Sequence, residues 1–583
     1  MAEQIISPGV FQNENTPVVL SAPSAPIGAA IIGPTVKGQV GIPVTVSSYS
    51  EFLQKFGGSF VSGGIENTYT TALSAQNYFR QGGSNLLVTR VADSAAYAAA
   101  SGTNISGSSE LPVANTTPTS FSIKTISQGA NQNSSGSTTE TPSEGAGNAL
   151  VSGSAINIRW EISNVNTASG IFDLFVRQGN DRLADKIVLE SWRGVSLDPT
   201  RDDYVAKVIG NQEFTVGTEG SDSFVTISGE YPNKSNYIIV DSVAAPTPNY
   251  LDGAGNFKPN FTGSIPVTQS GSFEGATGAP IPGTLMYDKI TNGNTQGLAA
   301  TDYTDAIQLL KNKDQYNFNV ISTPGLIYSF DAHKTELDSL IANTTTRGDS
   351  ILPIDLSAYG ATVAATVTTA ESLNTNYAAA YWPWLLVNDQ NTGANVWAPA
   401  STIIPSVYVY NDTQSRAWFA PAGFTRGTMP GVVTPEKTLP RGLRDTLYTG
   451  KVNPIATFPG TGVVVYGQKT LQNLSTALDR VNVRRLLITL KDFIGNLSQT
   501  LVFEPNSLQT RNSFLSTVNP YLEGVQQNQG LYAFKVVMDD SNNGPAVIDR
   551  NELRGAIYLQ PVKTAEFIVL DFNLLPTGAE FPA

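Results

Sequence analysis

No cysteine occurs among the 583 residues, and histidine occurs once, at His333. The first absence excludes disulfides, thiolate nucleophiles and zinc-thiolate centres. The second leaves a Ser-His-Asp triad a single imidazole to use. Charge is also sparse. Only 14% of residues are Asp, Glu, Lys or Arg, and 35 basic against 48 acidic side chains give a formal net charge of −13. Phosphate recognition needs clustered Lys and Arg, and no stretch joins basic residues to stacking aromatics, so direct nucleic-acid binding is not expected. Apolar runs fall far short of the ~20 residues that a membrane-spanning helix needs, so membrane insertion is not expected either. Met1-Ala2-Glu3-Gln4 carries neither a basic n-region nor an apolar h-region, which argues against a secretory signal. The expectation is a soluble, multidomain protein made in the cytoplasm, rich in Gly, Ser, Thr and Asn as a β-rich particle protein would be.

The densest secondary-structure signals lie between Arg441 and Leu575. Leu471, Leu474, Leu478 and Val481 recur at three and four residues and predict a helix over 469–478. Leu486, Leu490, Ile494 and Leu497 predict a second over 483–497, with Arg484 and Arg485 in its first turn. Thr500–Phe503 reads as a short strand, and Asn506 as the N-cap of a helix that Asn519-Pro520 breaks or kinks. Period-2 runs follow at 532–538, 553–561 and 565–575. Helices followed by strands make 441–563 a compact α+β domain, with 564–583 as a terminal strand and arm.

Upstream, residues 1–22 read as an extended N-terminal arm, because Gln4-Ile5-Ile6 is β-prone and Pro17, Pro23 and Pro26 deny a helix. A frayed terminus is the alternative. Strands are predicted at 27–33, 43–46 and 86–91, with helices after Ser48 and over 67–81. Farther on, a helix over 303–311 precedes a strand at 316–322, a helix over 329–343 and a strand at 349–355, a β-α-β order that implies a parallel pair. A helix over 370–377, a strand over 381–387, and strands at 397–399, 406–410 and 418–423 complete the layer. Residues 23–92 and 285–440 thus read as one discontinuous α/β domain. The Ser/Thr/Gly/Asn-rich 93–284 reads as a mainly β insertion.

Candidate chemistry is thin. His333 has Asp331 and Asp338 nearby in sequence, but no Gly-x-Ser-x-Gly elbow exists, so a structural histidine is the simpler reading. Asp355 ends a parallel strand and reads as a turn former. Gly462–Thr470 approaches a phosphate-binding loop, but Gln468 spoils the spacing before Lys469, and its valines favour a strand. Gly33–Gly38 lacks a following helix. Asp539–Gly544 opens like a calcium loop but has Arg550 where the bidentate carboxylate belongs. No catalytic residue, cofactor or metal is assigned.

Val483-Arg484-Arg485, Phe503-Glu504-Pro505-Asn506 and Ala565-Glu566-Phe567-Ile568-Val569, in that order, resemble the C-terminal domain of contractile-tail sheath proteins of myovirus-type bacteriophages. Ser7-Pro8-Gly9-Val10-Phe11, Ala380–Trp384 and Ala420-Pro421-Ala422-Gly423 resemble further motifs of that family. The resemblance implies a non-enzymatic virion protein that polymerises around a tail tube and contracts to drive the tube through the host envelope. Expected partners are copies of itself, the tube protein, the baseplate and the tail terminator. The expected location is the virion tail, after assembly in the host cytoplasm. The arms would exchange strands between subunits through Gln4, Ile5, Ile6, Val10 and Phe11 at one end. At the other end Phe567, Ile568, Val569, Leu570, Phe572 and Leu574 would do so. Burial of Ile568, Leu570, Phe572 and Leu574 would contribute roughly 1.5–3 kcal/mol each. Receiving edges are expected within 532–538 and 553–560. Arg484 and Arg485 would make a polar contact, either internally with Glu504 or with the tube. Sheaths of phage-tail-like bacteriocins or other contractile injection systems are the alternative within the family. Outside it stand an α/β hydrolase using His333 and a β-rich surface protein.

Overall fold

A computed structural model describes residues 28–62, 65–92, 103–106, 119–128, 158–178, 181, 184–220, 222–273 and 290–566. Its spine is a long, mostly parallel sheet. Pro43–Val46, Leu86–Arg90, Gly28–Gly33 and Phe318–Ser322 pair in that order, and Leu352–Ile354, Ala378–Trp382, Val452–Phe458 and Gly462–Val465 form a second group. A parallel bridge between Val320 and Ile351 joins the two into one layer. Only the outermost strands, Pro43–Val46 and Gly462–Val465, run antiparallel to their neighbours.

Alternation builds a core on each face. Ala29 and Ile31 point into one, against Phe52, Tyr78 and Val407 from the helices Tyr49–Phe56, Thr70–Arg80 and Ile404–Gln414. Ala30 and Ile32 point into the other, against Ile307, Leu337 and Leu447 from Thr304–Leu309, Asp331–Arg347 and Arg441–Thr449. This is the period-2 geometry of a strand buried on both sides. The first helix starts as the sequence predicts, with Ser48 Oγ accepting from Glu51 N–H.

Strand order reverses direction between Gly28–Gly33 and Phe318–Ser322, the point where open α/β sheets leave a ligand crevice. Here that place is filled by the chain itself. Gln296, buried and at φ 56°, accepts the Thr70 N–H at 2.8 Å and lies 3.3 Å from the Pro324 carbonyl through Nε2. A Cβ at Gly33 would meet Thr71 Oγ1 at 2.3 Å.

Residues 119–273 carry a separate core. Ile158–Asn166, Ile171–Gln178, Val188–Ser196 and Gln269–Ser272 form an antiparallel sheet, and Phe121, Trp160, Phe172, Leu174 and Ile238 pack together beneath it. The C-terminal helices Val481–Gln499 and Leu508–Gln527 enclose a further core with the hairpin Leu531–Val537/Ala556–Pro561. Helices and several sheets thus mix, as the α/β and α+β expectations require.

Several local expectations fail for identifiable reasons. Residues 469–478 form no α-helix, only the start of a 3-10 turn at Ala477–Asp479: the Leu471 N–H pairs with the Ala378 carbonyl and its side chain is buried, while Leu474 is 70% exposed, so the leucines share no face. Thr500–Phe503 is a turn, not a strand, and Phe503 sits at φ 73°. Ser507, not Asn506, caps the next helix, accepting from Thr510 N–H, and that helix runs through Pro520. Ser406–Tyr410 is helical, within Ile404–Gln414, because Pro405 suits a first helical turn and packing overrides β-propensity. Residues 418–422 form no strand, and Gly423 opens the short helix Gly423–Arg426. The helix expected at 370–377 occupies Val363–Glu371 instead. The strand expected over 381–387 is two, Ala378–Trp382 and Leu385–Asn388, which join different sheets. Residues 441–471 belong with the long sheet, since Val452–Phe458 pairs with Ala378–Trp382, so the C-terminal unit begins after them.

Candidate functional site

The hairpin Leu531–Val537/Ala556–Pro561 is a two-stranded sheet. Phe534, Val536, Ile557 and Leu559 pack against the two C-terminal helices. The opposite face presents Lys535 and Tyr558, the latter 62% exposed. Among the described residues neither outer edge has a strand partner. Such an edge is a row of free N–H and C=O groups that another segment can pair with. These strands overlap the segments 532–538 and 553–560 that the sequence offers as receiving edges. The exchange residues Gln4, Ile5, Ile6, Val10, Phe11, Phe567, Ile568, Val569, Leu570, Phe572 and Leu574 lie outside the described residues.

The chain leaving this hairpin is held at one point. Arg480 grips the Glu566 carboxylate bidentately, from Nε to Oε1 at 2.7 Å and from a terminal nitrogen to Oε2 at 3.0 Å. Tyr448 O–H donates to Oε2 at 2.6 Å, and Gln468 Nε2 donates to Oε1 at 3.0 Å and lies 2.6 Å from Thr564 Oγ1. Burial alone would raise the Glu566 pKa, but the donors from Arg480, Tyr448 and Gln468 outweigh it and hold the group below the ordinary carboxylate value. Burial and the Glu566 carboxylate together push the Tyr448 hydroxyl well up. Sequence reasoning finds Glu566 in a motif but none of its partners. Gln468, which spoils the phosphate-loop spacing, is one of them. No local pattern links positions 448, 468 and 480 to 566, because three separate elements deliver them.

Arg484 and Arg485 are both buried in the first turns of the helix Val481–Gln499. The Arg484 guanidinium lies 4.0 Å from the Tyr377 ring centroid and donates to Asn376 Oδ1 at 2.6 Å. Arg485 pairs with Asp412 at 2.5 Å and lies 4.7 Å from the Tyr408 centroid. The contacts are internal, but they are not with Glu504. That residue follows the far end of the helix, and the steps from Arg485 to Gln499 alone span ~21 Å at a rise of ~1.5 Å each.

The residues that would carry catalysis are built into the interior. His333 is fully buried; its Nδ1 accepts the Ile327 N–H at 3.1 Å, and desolvation drops its pKa to about 4. Asp355 is a buried acceptor for the N–H (3.0 Å) and hydroxyl of Ser401, not a turn former, and burial raises its pKa to about 7. After Gly462–Val465 no helix starts, so Gly462–Thr470 offers no phosphate cradle. Asp539 accepts from Ser541 in the connection between the hairpin strands.

Comparison with known proteins finds one recurring similarity. Residues 296–471 match the phage tail sheath protein central domain, and residues 475–574 the phage tail sheath C-terminal domain. The junction falls where the long sheet ends and the C-terminal helices begin. The chain is 40% identical over 210 residues to the tail sheath protein of Vibrio phage KVP40, a match covering 36% of this chain and 31% of that protein. It is 38% identical over 193 residues to the tail sheath protein of Enterobacteria phage T4, covering 33% and 29%. The aligned region therefore spans less than a third of the length of either relative. The crystal structure of a sheath tail protein from Listeria innocua shares the fold, with a TM-score of 0.51 over 92% of this chain and 96% of that one at 10% identity. Over residues 296–471 and 475–574, the chain is similar to the phage tail sheath family.

Proposed function

We propose that this protein is the contractile sheath subunit of a phage tail, which polymerises around the tail tube and contracts to drive it through the host envelope. The observation that carries the reading is the hairpin, whose two outer edges have no strand partner among the described residues, beside a clamped Glu566 in the region that matches the sheath C-terminal domain. Residues 567–583 leave that clamp as a strand-exchange arm, and residues 1–22 serve as the second. A segment added to a free edge gains main-chain hydrogen bonds and buries apolar side chains, which offsets the ordering of an arm only in the polymer.

Contraction is then a change of packing between rigid bodies while the arms hold connectivity. A small free-energy difference per subunit, summed over a coupled array, moves the tube without nucleotide. Baseplate and terminator proteins close the two ends, and the subunit resides in the virion tail after assembly in the host cytoplasm. A non-catalytic role agrees with the buried, hydrogen-bonded state of His333 and Asp355 and with the filled crevice at Gln296.

The test is removal of residues 567–583. The account expects a folded subunit, with wild-type far-UV circular dichroism, that no longer sediments as polymer. Unchanged polymer would remove the C-terminal arm from the mechanism.

A further inference from the structure

Two exposed surfaces of this chain have opposite chemistry. One is the turn after the helix Val481–Gln499. Val502 is 58% exposed, Phe503 103%, and Leu508 63%. Phe503 stands at φ 73°, a conformation that a bulky side chain rarely adopts. A fully exposed aromatic ring held on strained backbone stabilises nothing within its own chain, and such strain gathers at functional positions. The next residue, Glu504, is exposed and makes no ion pair among the described residues.

The other surface is an aromatic cluster at the end of the long sheet. Phe424 and Phe458 meet edge to face at 5.0 Å, and Phe458 lies 5.0 Å from Tyr466. Phe424 is 51% and Tyr466 45% exposed. Arg444, on the helix Arg441–Thr449, lies over Phe458 and Tyr466 at 5.0 and 5.4 Å from their centroids. It is half-buried, and no carboxylate pairs with it among the described residues. A guanidinium spread on two rings keeps its donors at the edge, where an incoming carboxylate can take them.

We propose that Phe503 and Glu504 of one copy dock on the Phe424–Phe458–Tyr466 cluster of a second copy, with Glu504 pairing to Arg444. The occupant is a second copy because both halves of a complementary pair, apolar with acid and aromatic with base, stand on the same chain. A contact between two different surfaces of identical chains is head-to-tail, and it propagates into rings or open helices instead of closing as a dimer. The inference rests on the self-assembling reading above and names surfaces that the arms do not include.

The absence of native cysteine gives a direct test. Val502→Cys and Leu443→Cys place single thiols at exposed neighbours of the proposed contact and leave Phe503, Glu504 and Arg444 intact. Full-length variants with different affinity tags, each matched to wild type in thermal unfolding, are mixed and treated with a short bis-maleimide. The expected product is a dimer containing one of each variant, lost when either is treated alone. No mixed dimer, or equal yield from a single variant, overturns the contact. In parallel, Glu504→Arg and Arg444→Glu should each abolish polymer, and both together in one chain should restore it. Polymer that persists in the single variants, or a double variant that stays unassembled, also overturns it. Wild-type tubes without the mixed cross-link would leave the sheath reading standing and remove this contact. The cross-link without tubes would do the reverse. A partner other than a second copy would show itself as undiminished polymer in Phe503→Ser.

Discussion

At the scale of single residues, two carboxyl groups respond to pH with opposite sign. Glu566 is held below the ordinary glutamate value of 4.5. Its contribution is therefore present above that value and is lost as pH falls through the folded-state pKa. Arg480→Ala strands a half-buried carboxylate beside Tyr448 and Gln468, and should cost about 2–3 kcal/mol at neutral pH in urea unfolding. The loss should shrink below pH 4; a pH-independent loss would show that the guanidinium matters only as packing. Asp355 behaves the other way. Its pKa is raised from 3.8 to about 7, so its ionisation opposes folding increasingly between those values and by a constant amount above. Asp355→Asn should raise the melting temperature relative to wild type at pH 8, with the gain fading towards pH 4. Equal shifts at both pH values would contradict the assignment. Of these groups the sequence exposes Glu566 through its motif and Asp355 through its place at a strand end. The grip on each is invisible there, because Tyr448, Gln468, Arg480 and Ser401 come from distant segments.

At the scale of elements, caps and alternation are legible and amphipathic stripes less so. Ser48 starts its helix as expected, and the buried strands at 28–33 and 86–90 show as short runs rich in apolar residues, the second ending in buried Thr89 and Arg90. Ser507→Ala should lower stability by about 1 kcal/mol, since it removes the acceptor for Thr510 N–H. Asn506→Ala acts elsewhere, on the side-chain bonds to Asn543 and the Glu552 carbonyl that fix the turn against the hairpin connection. If Asn506→Ala alone perturbed the helix while Ser507→Ala did not, the cap assignment would fall. The elements misread from sequence share one cause. Leu471, Leu474 and Leu478 have helical spacing, yet Leu471 is drawn into an edge contact with Ala378. Val407, Tyr408 and Val409 have strand propensity, yet their segment packs as a helix against the sheet beside Thr70–Arg80. In both, partners far along the chain outweigh the local preference.

At the scale of the whole molecule, the fold divides into a long two-faced sheet, a separate β core within 119–273 and a C-terminal helical layer carrying a hairpin whose outer edges have no strand partner among the described residues. The sequence makes the α/β order and the β-rich stretch legible by alternation. It puts the start of the C-terminal unit too early, because Val452–Phe458 completes a parallel sheet whose other strands lie far upstream. The proposed arms sit at the two ends of this plan. Deletion of residues 1–20 should leave a folded subunit that forms no tubes, as judged by circular dichroism and sedimentation. The most direct measurement is electron microscopy of the purified full-length protein across a concentration series, alone and with a co-expressed tube protein. Regular hollow tubes in either condition are the predicted result. Discrete monomers or dimers at every concentration, with and without the tube, would contradict the account.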